Sequence, residues 1–348
     1  MAHPDIRVAA VGTALPGPLV DNATLIRRFG LAPVWEQWID AFVGTKSRHF
    51  AVDLDTGEIV YSLADLAETA ARQAMDRAGI AAADVDLMVM GSATPDDLMP
   101  ATVNHVADRL GVDGIPTYQL LSGCTGAYQA LDIAAAALAS GRHRTALVLG
   151  GDNCARFLDL DMDLEHAPPD LQVNVMLFGD GAGAAVLTTD PAPGRPVLRT
   201  VFHRMVGLGR PPGQVVRWRG AIPSDEPVAS EDFKAIEEYA PQMTSEALGE
   251  LLERLDWQPV DLDYIMPPQL SGEMTRRVVE RLGVPGAEEI NVVDEIANTA
   301  NALPFFLLDR LLPMMQPGER AAGVSIEASK WIKAGYALEL TDAASGDW

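Results

Sequence analysis

Cys124 lies in Gln119-Leu120-Leu121-Ser122-Gly123-Cys124-Thr125-Gly126-Ala127, directly ahead of an alanine-rich run that reads as a helix packed on nearly all sides. A helix start presents unpaired N–H groups and the positive end of the macrodipole, which favour a thiolate and make it a better nucleophile. Gly123 and Gly126 leave room for a thioester to reach the backbone, and the Cys124 N–H is placed to meet a developing oxyanion. The competing account is a buried structural cysteine; the position at the helix start favours chemistry. A second small-residue helix start, Ala297-Asn298-Thr299-Ala300, holds Asn298, whose commonest role before a helix is the N-cap.

The elements that position these residues alternate along the chain between strand-like runs and amphipathic helices, an α/β pattern. Strands are expected at Arg7–Val11, Leu87–Met90, Thr145–Leu149, Gly183–Thr188, Tyr264–Met266 and Ala337–Leu340. Helices are expected at Leu63–Ala78 behind a Ser62 cap, Val103–Leu110, Thr125–Ser140, Ser245–Leu255, Met274–Leu282 and Leu303–Leu312. Four features recur in the same order. The helix ending Met75–Gly79 leads to Asp84-Val85-Asp86-Leu87-Met88-Val89-Met90, and the helix ending Leu252–Leu255 leads to Asp261-Leu262-Asp263-Tyr264-Ile265-Met266. A later helix closes on Arg109-Leu110-Gly111-Val112 in one copy and on Arg281-Leu282-Gly283-Val284 in the other, before the starts at Cys124 and Asn298. Such duplication implies two pseudo-symmetric halves, 1–190 and 191–348, divided in the Pro/Gly-rich stretch Thr189–Pro196. Cys124 and Asn298 are then expected to face one pocket.

Composition excludes several classes. The 348 residues are 48% hydrophobic, enough for a large core, and 49 acids against 26 bases leave a net charge of −23. That charge opposes binding to nucleic acid or an anionic membrane. The apolar runs are shorter than a membrane span, and no basic-then-apolar leader opens the chain. Two cysteines, Cys124 and Cys154, with no zinc-type spacing, fit a reducing cytoplasm and no metal site. Against the acidic background, Pro191–Ser224 carries six arginines and no acid. Arg204, Arg210, Arg217 and Arg219 are candidates for binding the phosphates or the acidic helices of an acyl donor; a solvated loop is the alternative.

The chain resembles the ketoacyl-acyl-carrier-protein synthase III branch of the thiolase fold. The resemblance rests on Trp38 with Gly44-Thr45-Lys46-Ser47-Arg48-His49, the loop Gly91-Ser92-Ala93-Thr94-Pro95-Asp96, the Cys124 turn, Phe178-Gly179-Asp180-Gly181-Ala182-Gly183-Ala184, and Asn298-Thr299. It implies a five-layer αβαβα fold, a homodimer, and attack of Cys124 on an acyl thioester of coenzyme A or a carrier-protein pantetheine, with no permanently bound cofactor. By the same resemblance Asn298 donates to a thioester carbonyl and Trp38 flanks the pantetheine entrance; 179–184, which lacks the following helix and acid of a nucleotide loop, reads as a tight turn near the active site. Phe42 stands where the family has an arginine, which favours a carrier-protein donor over coenzyme A.

Two features depart from the family pattern. The segment Ile265-Met266-Pro267-Pro268-Gln269 has Pro268 where the family has its catalytic histidine, and Glu327-Ala328-Ser329-Lys330-Trp331-Ile332-Lys333 replaces a glycine-rich loop. Decarboxylative condensation must stabilise an enolate, and one missing donor costs about 100-fold in rate. Transfer of an acyl group from Cys124 to a small-molecule alcohol or amine needs no enolate, so an acyltransferase of specialised metabolism is the expected activity. Asp294, Glu295, Asp96 and Asp97 are the candidate acids and bases, with solvated loop acids as the alternative. A decarboxylative condensing enzyme and a non-catalytic partner of an active paralogue are the two other readings.

Overall fold

The structure, a computed structural model, describes residues 4–218 and 228–341. The strands of the core are β1 (Arg7–Ala14), β2 (Leu87–Ser92), β3 (Thr117–Leu121), β4 (Thr145–Asp152), β5 (Gly181–Thr188), β6 (Val197–Met205), β7 (Tyr264–Met266), β8 (Glu288–Glu289), β9 (Arg320–Glu327) and β10 (Ile332–Glu339). The helices that cover them are α1 (Leu63–Ala78), α2 (Thr102–Leu110), α3 (Gly126–Ala139), α4 (Pro169–Leu177), α5 (Phe233–Leu255), α6 (Gly272–Leu282) and α7 (Leu303–Leu311).

The strands run in the order β3-β2-β4-β5-β1-β6-β10-β9-β7-β8. Each half has the same pairing. β2 is parallel to β3 and β4, and β5 is antiparallel to β4 and β1. Likewise β7 is parallel to β8 and β9, and β10 is antiparallel to β9 and β6. The two five-stranded groups meet only where Arg7 pairs with Val197, so they are free to stack face to face. Helices α1 and α2 cover the outer face of the first group, α5 and α6 that of the second, and α3 and α7 lie between the two. The result is the five-layer αβαβα thiolase arrangement.

Local sequence explains why these segments adopt these forms. Ser62 and Asp65 make a reciprocal capping box at the start of α1, and Gly79 ends it in the left-handed region at φ 70°. All eight residues of β4 and of β5 are buried, as a strand covered on both faces requires. Helix α3 buries Gly126, Ala127, Ala130, Ala134 and Ala135 among larger residues, so two sheets can close on it. At its N-terminus a side chain on Gly91 of β2 would collide with the Gly126 backbone. Glycine at both positions lets the helix start approach the sheet.

Two expectations change. Helix α5 begins at Phe233 rather than Ser245 and runs through Pro241, a helix-breaking residue that hid the helix's first three turns from the sequence reading. The arginine-rich stretch is no simple loop: Arg199 and Arg204 stand on β6, and Arg217 follows a short ribbon of Gln214–Val216 with Ala229–Glu231. Arg219 and His3 lie outside the described residues.

Candidate active site

Cys124 sits in a single 3-10 turn, Gly123–Thr125, between edge strand β3 and α3. The turn is held from behind by a buried polar network. Asn301 donates through Nδ2 to the Gly123 carbonyl (2.9 Å) and accepts at Oδ1 from the Ala127 N–H (2.8 Å). Asn301 also donates to Asp152 Oδ2, through its backbone N–H (3.0 Å) and Nδ2 (2.7 Å). Asp152 ends β4 and accepts from the Ala93 N–H (2.7 Å), the Thr94 N–H (2.9 Å) and hydroxyl (2.8 Å), and the Ser92 hydroxyl (3.1 Å). Burial raises the Asp152 carboxyl above its ordinary range while these donors pull it back.

On its open side the turn meets Glu327, the last residue of β9, which is 1% exposed. Its carboxyl accepts from the Cys124 N–H at one oxygen and from the Ser329 N–H (2.7 Å) at the other. Gly123, at φ 53°, lies against this carboxyl, and a Cβ there would strike it. Burial, Glu327 and Asp152, in that order, push the Cys124 thiol well above the usual thiol range. This reverses the direction expected from the helix start, where the macrodipole alone was weighed. It also gives the Cys124 N–H, expected to face an oxyanion, a carboxyl partner at rest.

Three cavities touch Cys124. The outer one, about 390 Å³, is bordered by Trp38, Phe42, Phe233, Met274 and Asn298. The inner one, about 120 Å³, is apolar and bordered by Phe50, Phe157, Leu158, Met162 and Val175. A niche of about 20 Å³, room for one water, lies among Pro268, Gln269, Asn298 and Ser325. Cys154 and the Glu231 carboxyl border the inner cavity, and Glu231 accepts from Gln214 Nε2.

The structure therefore brings Cys124, Asn298, Trp38 and Pro268 together. Asn298 is 4% exposed; its Oδ1 accepts from the Ala300 N–H (3.0 Å), and its Nδ2 reaches the Leu270 carbonyl only at 3.5 Å. Asn298 borders the cavity but is not the helix N-cap: that position is Thr299, and the Asn298 side chain instead closes a local turn onto Ala300. Ala297 and Ala300 on either side hold φ of 61° and 46°, a conformation alanine adopts at a cost. Gly179 donates to the Asn298 carbonyl (3.1 Å), but the stretch expected as a tight turn is from Gly181 onward the buried strand β5.

Other candidates stand elsewhere. Asp294 pairs with Lys46 (3.0 Å) and Glu295 with Arg310 (2.8 Å). Asp96 accepts from the Leu63 and Ala64 N–H groups at the start of α1, and Asp97 is exposed. Arg204 pairs with Glu250 (2.8 Å), and Arg210 stacks on Tyr239 (4.6 Å). Arg217 donates to the Ser230 hydroxyl (3.4 Å). None of these seven residues borders a Cys124 cavity. No described histidine does either: His49 bonds the Pro16 carbonyl, and His166 and His203 pair with Asp163 and Asp132. Sequence reasoning missed Glu327, Asp152 and Asn301. An acid closing an otherwise apolar strand, as in Ala321–Glu327 and Thr145–Asp152, is the trace the first two leave in the sequence.

Comparison with known proteins agrees with this geometry. Residues 118–205 match the family model of 3-oxoacyl-[acyl-carrier-protein (ACP)] synthase III. A β-ketoacyl-[acyl-carrier-protein] synthase III of Neisseria meningitidis is 29% identical over 300 residues, 85% of this chain and 87% of that protein. Among solved structures, a tetronic acid condensing enzyme, AbyA1, is 55% identical with a TM-score of 0.93, covering 96% of this chain and 99% of its own. The priming β-ketosynthase of the R1128 polyketide pathway is 28% identical (TM-score 0.83; 98% and 97% covered). The synthase III of Pseudomonas aeruginosa is 25% identical (TM-score 0.82; 97% and 99% covered). Among the described residues no cluster of His, Cys, Asp and Glu could hold a metal ion, and no helix is long and apolar enough to cross a membrane. Substrates of such enzymes are acyl thioesters of coenzyme A or a carrier protein. The chain is an enzyme of the ketosynthase class and belongs to the ketoacyl-acyl-carrier-protein synthase III family of the thiolase fold.

Proposed function

We propose that the enzyme is an acyl-transferring condensing enzyme. Cys124 takes an acyl group from a carrier-protein or coenzyme A thioester, and passes it to a nucleophile on a small-molecule acceptor, giving a product of the tetronic acid type. The observation that carries this reading is the meeting of the outer and inner cavities at Cys124: one can admit a pantetheine arm past Trp38 and Phe42, the other can hold an apolar acyl chain. The 55% identity to a tetronic acid condensing enzyme supports this choice of product class. A tetronic acid is a five-membered enol lactone. Making one from two thioesters takes one acyl transfer to oxygen and one to carbon, each releasing a thiol and neither releasing carbon dioxide. A carbon between two carbonyls is acidic enough for a carboxylate to serve as base, so the missing imidazole at Pro268 is no obstacle.

The enzyme works in the cytoplasm as a homodimer. Strand β3 is the outer edge of its sheet, with Tyr118 49% and Leu121 61% exposed just before the Cys124 turn. An unpaired apolar edge of this kind invites a second copy to pair across a two-fold axis.

The test is product mass after incubation with a β-ketoacyl thioester and a hydroxyacyl thioester. A product equal to both acyl groups less two hydrogens, formed with two equivalents of free thiol and no carbon dioxide, supports the reading. Carbon dioxide release from a malonyl thioester, with a chain longer by two carbons, replaces it with decarboxylative condensation.

A further inference from the structure

We propose that Glu327 is the general base and acid of this site, the residue that takes the proton from the Cys124 thiol and returns it to the leaving group. The inference deepens the reading above and rests on it for the identity of the acyl donor. Three observations carry it. The Glu327 carboxyl accepts from the Cys124 N–H and lies against Gly123, within the same turn that carries the thiol. It is buried and oriented by the Ser329 N–H (2.7 Å) at the tight β9–β10 turn, where Trp331 holds φ of 59°. No described histidine borders any cavity that reaches the sulfur, so no imidazole competes for the task.

The proton count closes without an outside reagent. The thiol proton moves to the Glu327 carboxylate as sulfur attacks the thioester carbonyl, and a carbon–sulfur bond forms. Collapse of the tetrahedral intermediate breaks the donor's carbon–sulfur bond, and the departing thiolate takes the proton from Glu327. In the second half the carboxylate accepts the proton of the acceptor's hydroxyl or acidic carbon, that atom bonds the acyl carbon, and Cys124 leaves and is reprotonated. As Glu327 becomes neutral in the first step, the Cys124 N–H is released toward the developing oxyanion.

The other titratable groups facing the pair are few. Asp152 faces Cys124 from the end of β4, and Cys154 faces it from across the inner cavity. Glu231 acts on Cys154 from the ribbon beside that cavity. All are acidic or neutral, so none would hold Cys124 as a resting thiolate in place of a base.

The experiment compares wild type with Glu327→Gln and Glu327→Asp, following Cys124 modification by intact mass and peptide mapping from pH 5 to pH 9. Two electrophiles are used: an acyl N-acetylcysteamine thioester and iodoacetamide. Wild type should show a rate that rises through the ionisation of Glu327 and then levels to a plateau. Glu327→Gln should lose the plateau, climb about tenfold per pH unit, and acylate at least 100-fold more slowly at pH 7. Glu327→Asp should restore part of the plateau. A Glu327→Gln variant acylated as fast as wild type, or a wild-type rate that climbs tenfold per unit throughout, overturns the proposal. A purely electrostatic Glu327 gives the opposite sign, because removing its charge makes the thiol more acidic and more reactive. If Glu327→Gln does not fold, the wild-type and Glu327→Asp profiles decide alone. If no thioester acylates wild type, the functional reading fails, and the iodoacetamide profile still tests Glu327.

Discussion

The backbone N–H of Cys124 donates to the carboxyl of Glu327, although 203 residues separate them in sequence. The bond ties the start of α3 in one half to the end of β9 in the other, at the point where the cavities meet. The Glu327 carboxyl adds to burial in raising the thiol, and its position against the turn accounts for the need for glycine at position 123.

Replacing Gly123 with alanine forces a Cβ into the left-handed region, at about 1–2 kcal/mol, and into the Glu327 carboxyl. We expect Gly123→Ala to fold with a lowered melting temperature and to acylate about 100-fold more slowly, since displacement of reacting groups by an ångström costs that much. Single-turnover acylation followed by mass checks it; an unchanged rate would show that the carboxyl is not pinned against this turn.

Asn301→Ala leaves the buried Ala127 N–H without its partner, and takes one of two donors from both the Gly123 carbonyl and Asp152 Oδ2. Each buried polar group left unpaired costs about 1–3 kcal/mol, so a loss of about 3 kcal/mol is expected in denaturant unfolding. A loss below about 1 kcal/mol would mean the network does not hold the Cys124 turn.

How far these roles were legible in the sequence depends on the range of the contacts. Helix α1 was legible to the residue, because Ser62, Asp65 and Gly79 mark its ends locally. The repeated order of elements foreshadowed the matching strand order, and the small-residue starts pointed to Cys124 and Asn298. Asp152, Asn301 and Glu327 were not legible as site residues, since the contacts that join Asp152 to Asn301, and Asn301 and Glu327 to the Cys124 turn, span 149 or more residues and only the stacked sheets bring them close. The acids chosen for nearness in sequence, Asp294 and Glu295, instead make surface ion pairs with Lys46 and Arg310.

Asp180 gives a pH-dependent prediction. Burial raises its carboxyl from the ordinary 3.8 to about 7, although it accepts from the Ala51 (2.7 Å) and Ala155 (3.0 Å) N–H groups. Between these values the folded state binds more protons than the unfolded state, so this residue's contribution to stability falls as pH rises. The stability advantage of wild type over Asp180→Asn should therefore shrink from pH 5 to pH 8, by about 3 kcal/mol at roughly 1.4 kcal/mol per pH unit. Denaturant melts at the two pH values check it, and an advantage that grows with pH contradicts the assignment.

The β3 edge gives a third kind of test. Leu121→Lys places a charge on the exposed strand expected to pair with a second copy. Light scattering should read a dimer for wild type and a monomer for the variant. A wild-type monomer would remove the dimer from the account.

The central claim is that Cys124 becomes acylated during turnover in a site without an imidazole. Intact mass of the whole protein after mixing with a panel of acyl-carrier-protein and acyl-coenzyme A thioesters tests it most directly, with Cys124→Ala as the control. The account predicts one acyl adduct per chain on wild type, mapped to Cys124, and none on the variant. No adduct from any donor, or an equal adduct on Cys124→Ala, would contradict it.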